Sequence, residues 1–256
     1  MELEDVMIRR EAFLKYLKDK NILVDETINS PIKANNVDET KLEEQFYIIN
    51  DFHKRVMGYE NIKDRLDSGI GKTIEEYKVC IKKVNRDLKK IKLEGPNNAF
   101  ENKFLELGEE HIEKGKKAIK NIYKNEYYLL ITRSMKNKEI ILDKVDFKHL
   151  KKEDEFIKLK TINKCKYNLV EMDCFYLLYR YKKKGVSLDY YMLIDKFCSI
   201  ANLGENSYQF ILSLLSFPYE FMKVIMNYRY NRKNLSEHEY LLDLIKSSEQ
   251  KNLISI

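Results

Sequence analysis

Apolar residues recur at intervals of three and four along most of the chain, the period of a helix with one buried face. Leu3, Val6, Met7, Phe13, Leu14 and Leu17 mark a first helix, closed by Asn21 and followed by a loop at Pro31. Thr40–Val56 carries Leu42, Phe46, Ile49, Phe52 and Val56 on one stripe, with Gly58 just beyond its end as a stop. Glu60–Lys72 is polar, contains Gly69 and Gly71, and reads as a loop. The helical period returns over Thr73–Lys92 through Ile74, Tyr77, Ile81, Val84, Leu88 and Ile91, and Gly95-Pro96 breaks it. Asn98–Lys124 is a long amphipathic helix, with Phe100, Phe104, Ile112, Ile119 and Tyr123 expected inward.

The period then changes. YYLLIT (Tyr127–Thr132), EIILDKV (Glu139–Val145) and EFIKLKTI (Glu155–Ile162) are short, β-prone pieces between charged turns, and the last two are expected to form a hairpin. Helices follow over Val170–Lys184, Leu188–Ala201, Asn206–Phe217, Pro218–Tyr230 and Ser236–Lys251, with Pro218 suited to a first turn. The fold class is mainly α with a small β-hairpin, in one mostly helical domain.

Within Val170–Lys184 the acid Asp173 accompanies Val170, Cys174, Leu177 and Leu178, which share a face. A carboxylate at a buried face needs hydrogen-bond donors to offset its desolvation. Backbone amides of a neighbouring loop are the available ones, so Asp173 is expected to tie a loop to this helix.

Composition removes several classes of function. The 256 residues include 47 basic and 41 acidic side chains, a net charge of +6 that is well interspersed. That excess is too mild and too scattered for a dedicated nucleic-acid binder. No apolar run is long enough to span a membrane, and the amino end lacks the pattern of a secretory signal, so synthesis in the cytoplasm is expected. Cys80, Cys165, Cys174 and Cys198 show neither a C-x-x-C pair nor metal-ligand spacing, and no metal is expected.

Candidate chemistry is sparse. SGIGKT (Ser68–Thr73) resembles the end of a phosphate-binding loop, but the glycine required earlier in that motif is Leu66 here, and no hydrophobic strand leads in. His53, His111, His149 and His238 are scattered; His53, beside Phe52, suits an internal hydrogen bond. YRYKKKG (Tyr179–Gly185) and YRYNRKN (Tyr228–Asn234) mix aromatic and basic groups as base-stacking surfaces do, yet helix ends favour the same cations. Asp143, Asp146 and Asp154 flank the expected hairpin and could hold magnesium, or serve as turn formers.

The order of parts carries a resemblance. A helix ending FHKRVMGY (Phe52–Tyr59), two long helices, a short hairpin, an acid-bearing central helix and LLSFPYEF (Leu214–Phe221) together resemble the CotS-type spore coat proteins. Those are similar to aminoglycoside phosphotransferases and choline kinases, and so to the kinase-like fold. The resemblance implies a helical lobe over residues 40–256, with residues 1–39 standing as a helix and loop where a nucleotide-binding lobe would be. It places the catalytic aspartate on Lys144, the metal-binding asparagine on His149, the metal-binding acid on Thr161 and the next acid of that strand on Asn163. Only the structural acid of the central helix is kept, as Asp173. Asp143, one residue from the base position, would face the opposite side of an extended segment.

The resemblance therefore implies a non-catalytic, pseudokinase-like structural or interaction protein, a component of an endospore coat, with other coat or assembly proteins as partners and no cofactor. Two other functions compete with it. One is a small-molecule phosphotransferase with an unorthodox site built from Asp143, Asp146, His149 and Asn163. The other is a basic helical module binding nucleic acid through the two aromatic-basic patches.

Overall fold

In the computed structural model the described residues are 11–29, 37–62, 65–249 and 254. The expected roles of Leu3, Val6, Met7, Pro31 and Lys251 fall outside them. Ten helices and five short strands order the described residues, and the chain divides into two compact units.

The first unit comprises residues 1–70 and 126–211. Its helix α1 (Glu11–Asp19) buries Phe13 and Leu17, and Asn21 turns the chain in a left-handed conformation into β1 (Ile22–Val24). Helix α2 (Glu39–Val56) starts at Asp38, whose side chain accepts from the Lys41 amide at 2.9 Å, the usual satisfaction of an orphan N–H. It buries Leu42, Phe46, Ile49, Phe52 and Val56 together with Gln45, Asn50 and His53. Phe13 and Tyr16 both pack on Tyr59, at 4.9 Å between ring centres.

Tyr127–Thr132 is not a strand but the start of α5 (Tyr127–Asn137), which buries Tyr127, Leu130 and Ser134. The helical period emerges only over a window that reaches Ser134, a polar residue that hides it in the sequence. The hairpin also forms elsewhere than expected. Only Ile140–Ile141 of the EIILDKV segment is a strand, β2, and it pairs with β5 (Lys166–Tyr167). β4 (Phe156–Leu159) pairs instead with β3 (Leu150–Glu153), because Asp154 takes a φ of 52° and lets Glu153 face Phe156 across a tight turn. β1 joins β4 in parallel, giving the order β1-β4-β3. Helices α6 (Glu171–Lys183) and α7 (Tyr190–Ala201) complete the core, with Leu177, Leu178, Leu193 and Phe197 closed to solvent.

The second unit comprises residues 71–125 and 212–256. It contains α3 (Lys72–Glu94) and α4 (Ala99–Lys124), with α9 (Tyr219–Tyr230) and α10 (Glu237–Glu249) packed on them; the unit boundary falls inside α8 (Glu205–Ser216). The inward face of α4 runs through Phe100, Phe104, Gly108, His111, Ile112, Gly115, Ala118 and Ile122. Ile119 is partly exposed and Tyr123 is on the outside, so the expected stripe drifts off the core in the last turns. Nearer the middle of the helix a glycine carries the seam: a Cβ on Gly108 would come within 2.8 Å of Phe104 and 2.9 Å of Leu88. Pro218 precedes the first residue of α9 as its N-cap.

Candidate functional site

Asp173 lies in the first turn of α6 and is fully buried. Its Oδ1 accepts from the Asp143 amide at 2.8 Å, and its Oδ2 from the Leu142 amide at 3.0 Å. Nε2 of His53, reaching in from α2, lies 2.9 Å from the same Oδ2. Three donors and the positive end of a helix thus surround one carboxylate, which compensates for its loss of water. The geometry assigns the proton to Nε2, since the buried Nδ1 of His53 has no partner.

The loop held by Asp173 runs from Leu142 to Leu150. Gln45 of α2 grips its far side, donating to the carbonyls of Val145 at 2.7 Å and Leu150 at 3.1 Å. Asp143 has a φ of 70° and so is not extended, contrary to the sequence expectation. Donating its amide into Asp173 folds it into a turn, and its own carboxylate takes the Lys166 ammonium at 2.7 Å. Asp146 is nearly closed to solvent. It accepts from the Lys148 amide at 3.0 Å, meets Nδ1 of His149 at 2.9 Å, and forms an ion pair with Arg180 of α6.

Of the candidate residues, Asp146 and His149 are therefore brought together, while Asp143 is joined to Lys166. Lys144 and Asn163 are exposed. The Asn163 amide donates to the Thr161 hydroxyl at 3.2 Å, a local turn contact. Asp154 sits in the β3–β4 turn. Among the described residues no group of three or more His, Cys, Asp or Glu side chains is arranged to hold a metal ion.

The other sequence features fall mostly into structural positions. Gly69 of the SGIGKT segment passes so close to β5 that a Cβ there would meet Asn168 at 2.9 Å, and its amide donates to the Tyr167 carbonyl at 2.8 Å. In the aromatic-basic patches Tyr181 is buried, Arg180 is committed to Asp146, Tyr228 stacks on Phe100 at 3.9 Å, and Arg229 is paired with Asp87. His111 is stacked on Phe221 at 3.8 Å with its pKa lowered by burial. The four cysteines are free; burial holds the Cys174 thiol well above its ordinary pKa and pushes Cys198 up to about 12, so neither is a ready nucleophile.

Sequence reasoning missed a second buried polar cluster. Arg133 of α5 donates to Glu139 at 2.8 and 3.2 Å and to both oxygens of Glu171 at 2.8 Å. Ser207 bridges it, accepting from Arg133 at 3.2 Å and donating to Glu171 at 2.5 Å. Burial of the guanidinium opposes its charge, yet Glu171 and Glu139 keep its pKa above the ordinary arginine value. Glu139 lies 6 residues from Arg133, but Glu171 lies 38 and Ser207 74 residues away, so nothing local in the sequence joins the cluster.

With the geometry in place, comparison with known proteins defines the fold. The structure resembles the crystal structure of an aminoglycoside phosphotransferase from Alicyclobacillus acidocaldarius subsp. acidocaldarius DSM 446, with a TM-score of 0.68 over 88% of this chain at 13% identity. The chain has a kinase-like fold of the aminoglycoside phosphotransferase type, mostly helical with a few short strands. It spans 66% of that neighbour's length. No protein-family model and no curated protein matches the sequence. No helix among the described residues is long and apolar enough to cross a membrane.

Proposed function

We propose that the chain is a non-catalytic, pseudokinase-like protein that acts through contacts with other proteins, and that it serves as a component of an endospore coat. One observation carries the first part: the carboxylates of the Leu142–Leu150 loop are each matched by a cation of the protein itself. Asp143 holds Lys166, and Asp146 holds Arg180 and lies against His149. A magnesium-nucleotide needs anionic oxygens free to take the metal, and phosphoryl transfer needs a carboxylate at the acceptor hydroxyl. Lys144 at the base position offers a cation, and Thr161 and Asn163 offer neutral groups. The coat assignment rests on the CotS-type resemblance alone.

A phosphotransferase is the second reading, and the fold likeness favours it. Incubating the purified chain with radiolabelled magnesium-ATP and a panel of small alcohols and aminoglycosides separates the two. The proposal expects neither phosphate release nor labelled product. Turnover that disappears in Asp143→Asn or Asp146→Asn would assign the enzyme instead. For the coat, the chain should be extracted with the insoluble shell of the host's spores; its absence from that fraction removes the assignment.

A further inference from the structure

A cavity in the first unit lies away from the Leu142–Asn163 stretch. It has a volume of about 630 Å³ and is walled by residues 60–62, Arg65, Ser68 and Ile70, by the carboxyl end of α5 and by Tyr167 of β5. That volume is in the range of small-molecule sites, roughly 300–1,000 Å³.

Three features of the wall bear on what it would hold. The first is charge: Arg65 and Lys138 face a single acid, Glu60, which is already paired with Lys138. Arg65 makes no ion pair among the described residues, so one guanidinium is uncommitted and the wall carries a net positive charge. Guanidinium groups bind carboxylate and phosphate through paired, charge-assisted hydrogen bonds. The second is an unmet polar group. Ser134 is 1% exposed, and its hydroxyl has no hydrogen-bond partner. A buried hydroxyl left this way is costly, and such groups in a cavity wall are commonly completed by what occupies it. The third is apolar surface at the mouth: Ile62 is 95% exposed and Met135 is 64% exposed, with Ile70 further in. Side chains of this kind held open to water suit an apolar ligand body.

The geometry points to a binding site for a small organic anion: a carboxylate or phosphate head on Arg65, with an aromatic or branched apolar body between Met135, Ile62 and Ile70. The site uses none of the residues on which the non-catalytic reading depends, so either conclusion can fail while the other stands.

The test uses the full chain with its isoleucine and methionine methyl groups isotopically labelled. Methyl spectra are recorded during titration with 1-naphthoate, 1-naphthyl phosphate, the neutral 1-naphthalenemethanol and the cationic 1-naphthylmethylamine. The two anions distinguish a carboxylate from a phosphate head. The site predicts saturable shifts at Ile62, Ile70 and Met135 with at least one anion, about tenfold tighter than with the neutral compound. Arg65→Ala should remove most of that preference, and Ser134→Ala should weaken the anion while leaving the preference in place. Arg65 is on the surface, so its variant should keep the parent's unfolding midpoint, which is measured alongside. The proposal is overturned by equal affinity for anion, alcohol and amine, by retained anion preference in Arg65→Ala, or by no saturable shift at those methyls up to roughly 5 mM, beyond which no useful affinity remains.

Discussion

Nε2 of His53 and Oδ2 of Asp173 lie 2.9 Å apart, and neither side chain is accessible to solvent. Through this contact α2 is joined to α6, and through the same carboxylate both are joined to the amides of Leu142 and Asp143. The pair supports a loop; its geometry does not require that the loop perform chemistry. Asp173→Ala should leave two backbone donors and an imidazole unpaired inside the fold, at a cost of about 1–3 kcal/mol. Urea unfolding reads this directly, and an unchanged midpoint would remove the strut role.

The Arg133 cluster makes a stronger demand. Arg133→Met would leave Glu139, 2% exposed, and Glu171, fully buried, without their shared cation. Breaking a buried ion pair by removing one partner costs about 3–5 kcal/mol. Replacing Ser207 with Ala should cost less, since the ion pairs remain. Denaturant titration of the two variants should rank them in that order.

Lys182 supplies a pH dependence. Burial lowers its pKa from 10.5 to about 8. Below the folded value the ammonium is charged in both states and the folded state bears the desolvation cost. Between the two values only the unfolded state holds the proton, so stability attributable to this residue rises with pH. Lys182→Met should therefore be stabilised relative to the parent at neutral pH, with the advantage shrinking as pH climbs through about 8 towards 10.5. The comparison between chains is needed because Cys80, raised by burial to about 11, pulls stability down at high pH in both. A difference that does not vary with pH would contradict the assignment.

On α4, Gly108→Ala tests packing against propensity. Alanine is favoured over glycine in a helix by up to about 1 kcal/mol. A Cβ at 2.8 Å from Phe104 and 2.9 Å from Leu88 opposes this, and overpacking of a core typically costs about 1–3 kcal/mol. Gly115→Ala, whose nearest contact is 3.3 Å to Phe217, should be milder. Thermal unfolding should place Gly108→Ala lower than Gly115→Ala.

The helices were legible because each repeats its apolar positions over several turns: α2 and α3 bury the residues their stripes name, except that Ile91 is only partly covered. Short segments were not. Tyr127–Thr132 is rich in β-prone side chains, and the helix that absorbs it is set by a register that includes Ser134. The strand pairings were hidden because β2 and β5 have two residues each, too few for any alternation, and their register comes from contacts distant in sequence. At the site, the surroundings of Asp173 followed from one rule, that a buried carboxylate collects donors. No such rule names the cation that will meet Asp143 or Asp146, because Lys166 and Arg180 are ordinary basic residues until the fold delivers them.

The central claim is that cations of the protein occupy the carboxylates a magnesium-nucleotide would need. Calorimetric titration of magnesium-ATP into the purified chain addresses it most directly. The account predicts no saturable heat in the parent. Saturable binding in the parent that is lost in Asp143→Asn, or in Asp146→Asn, would contradict it.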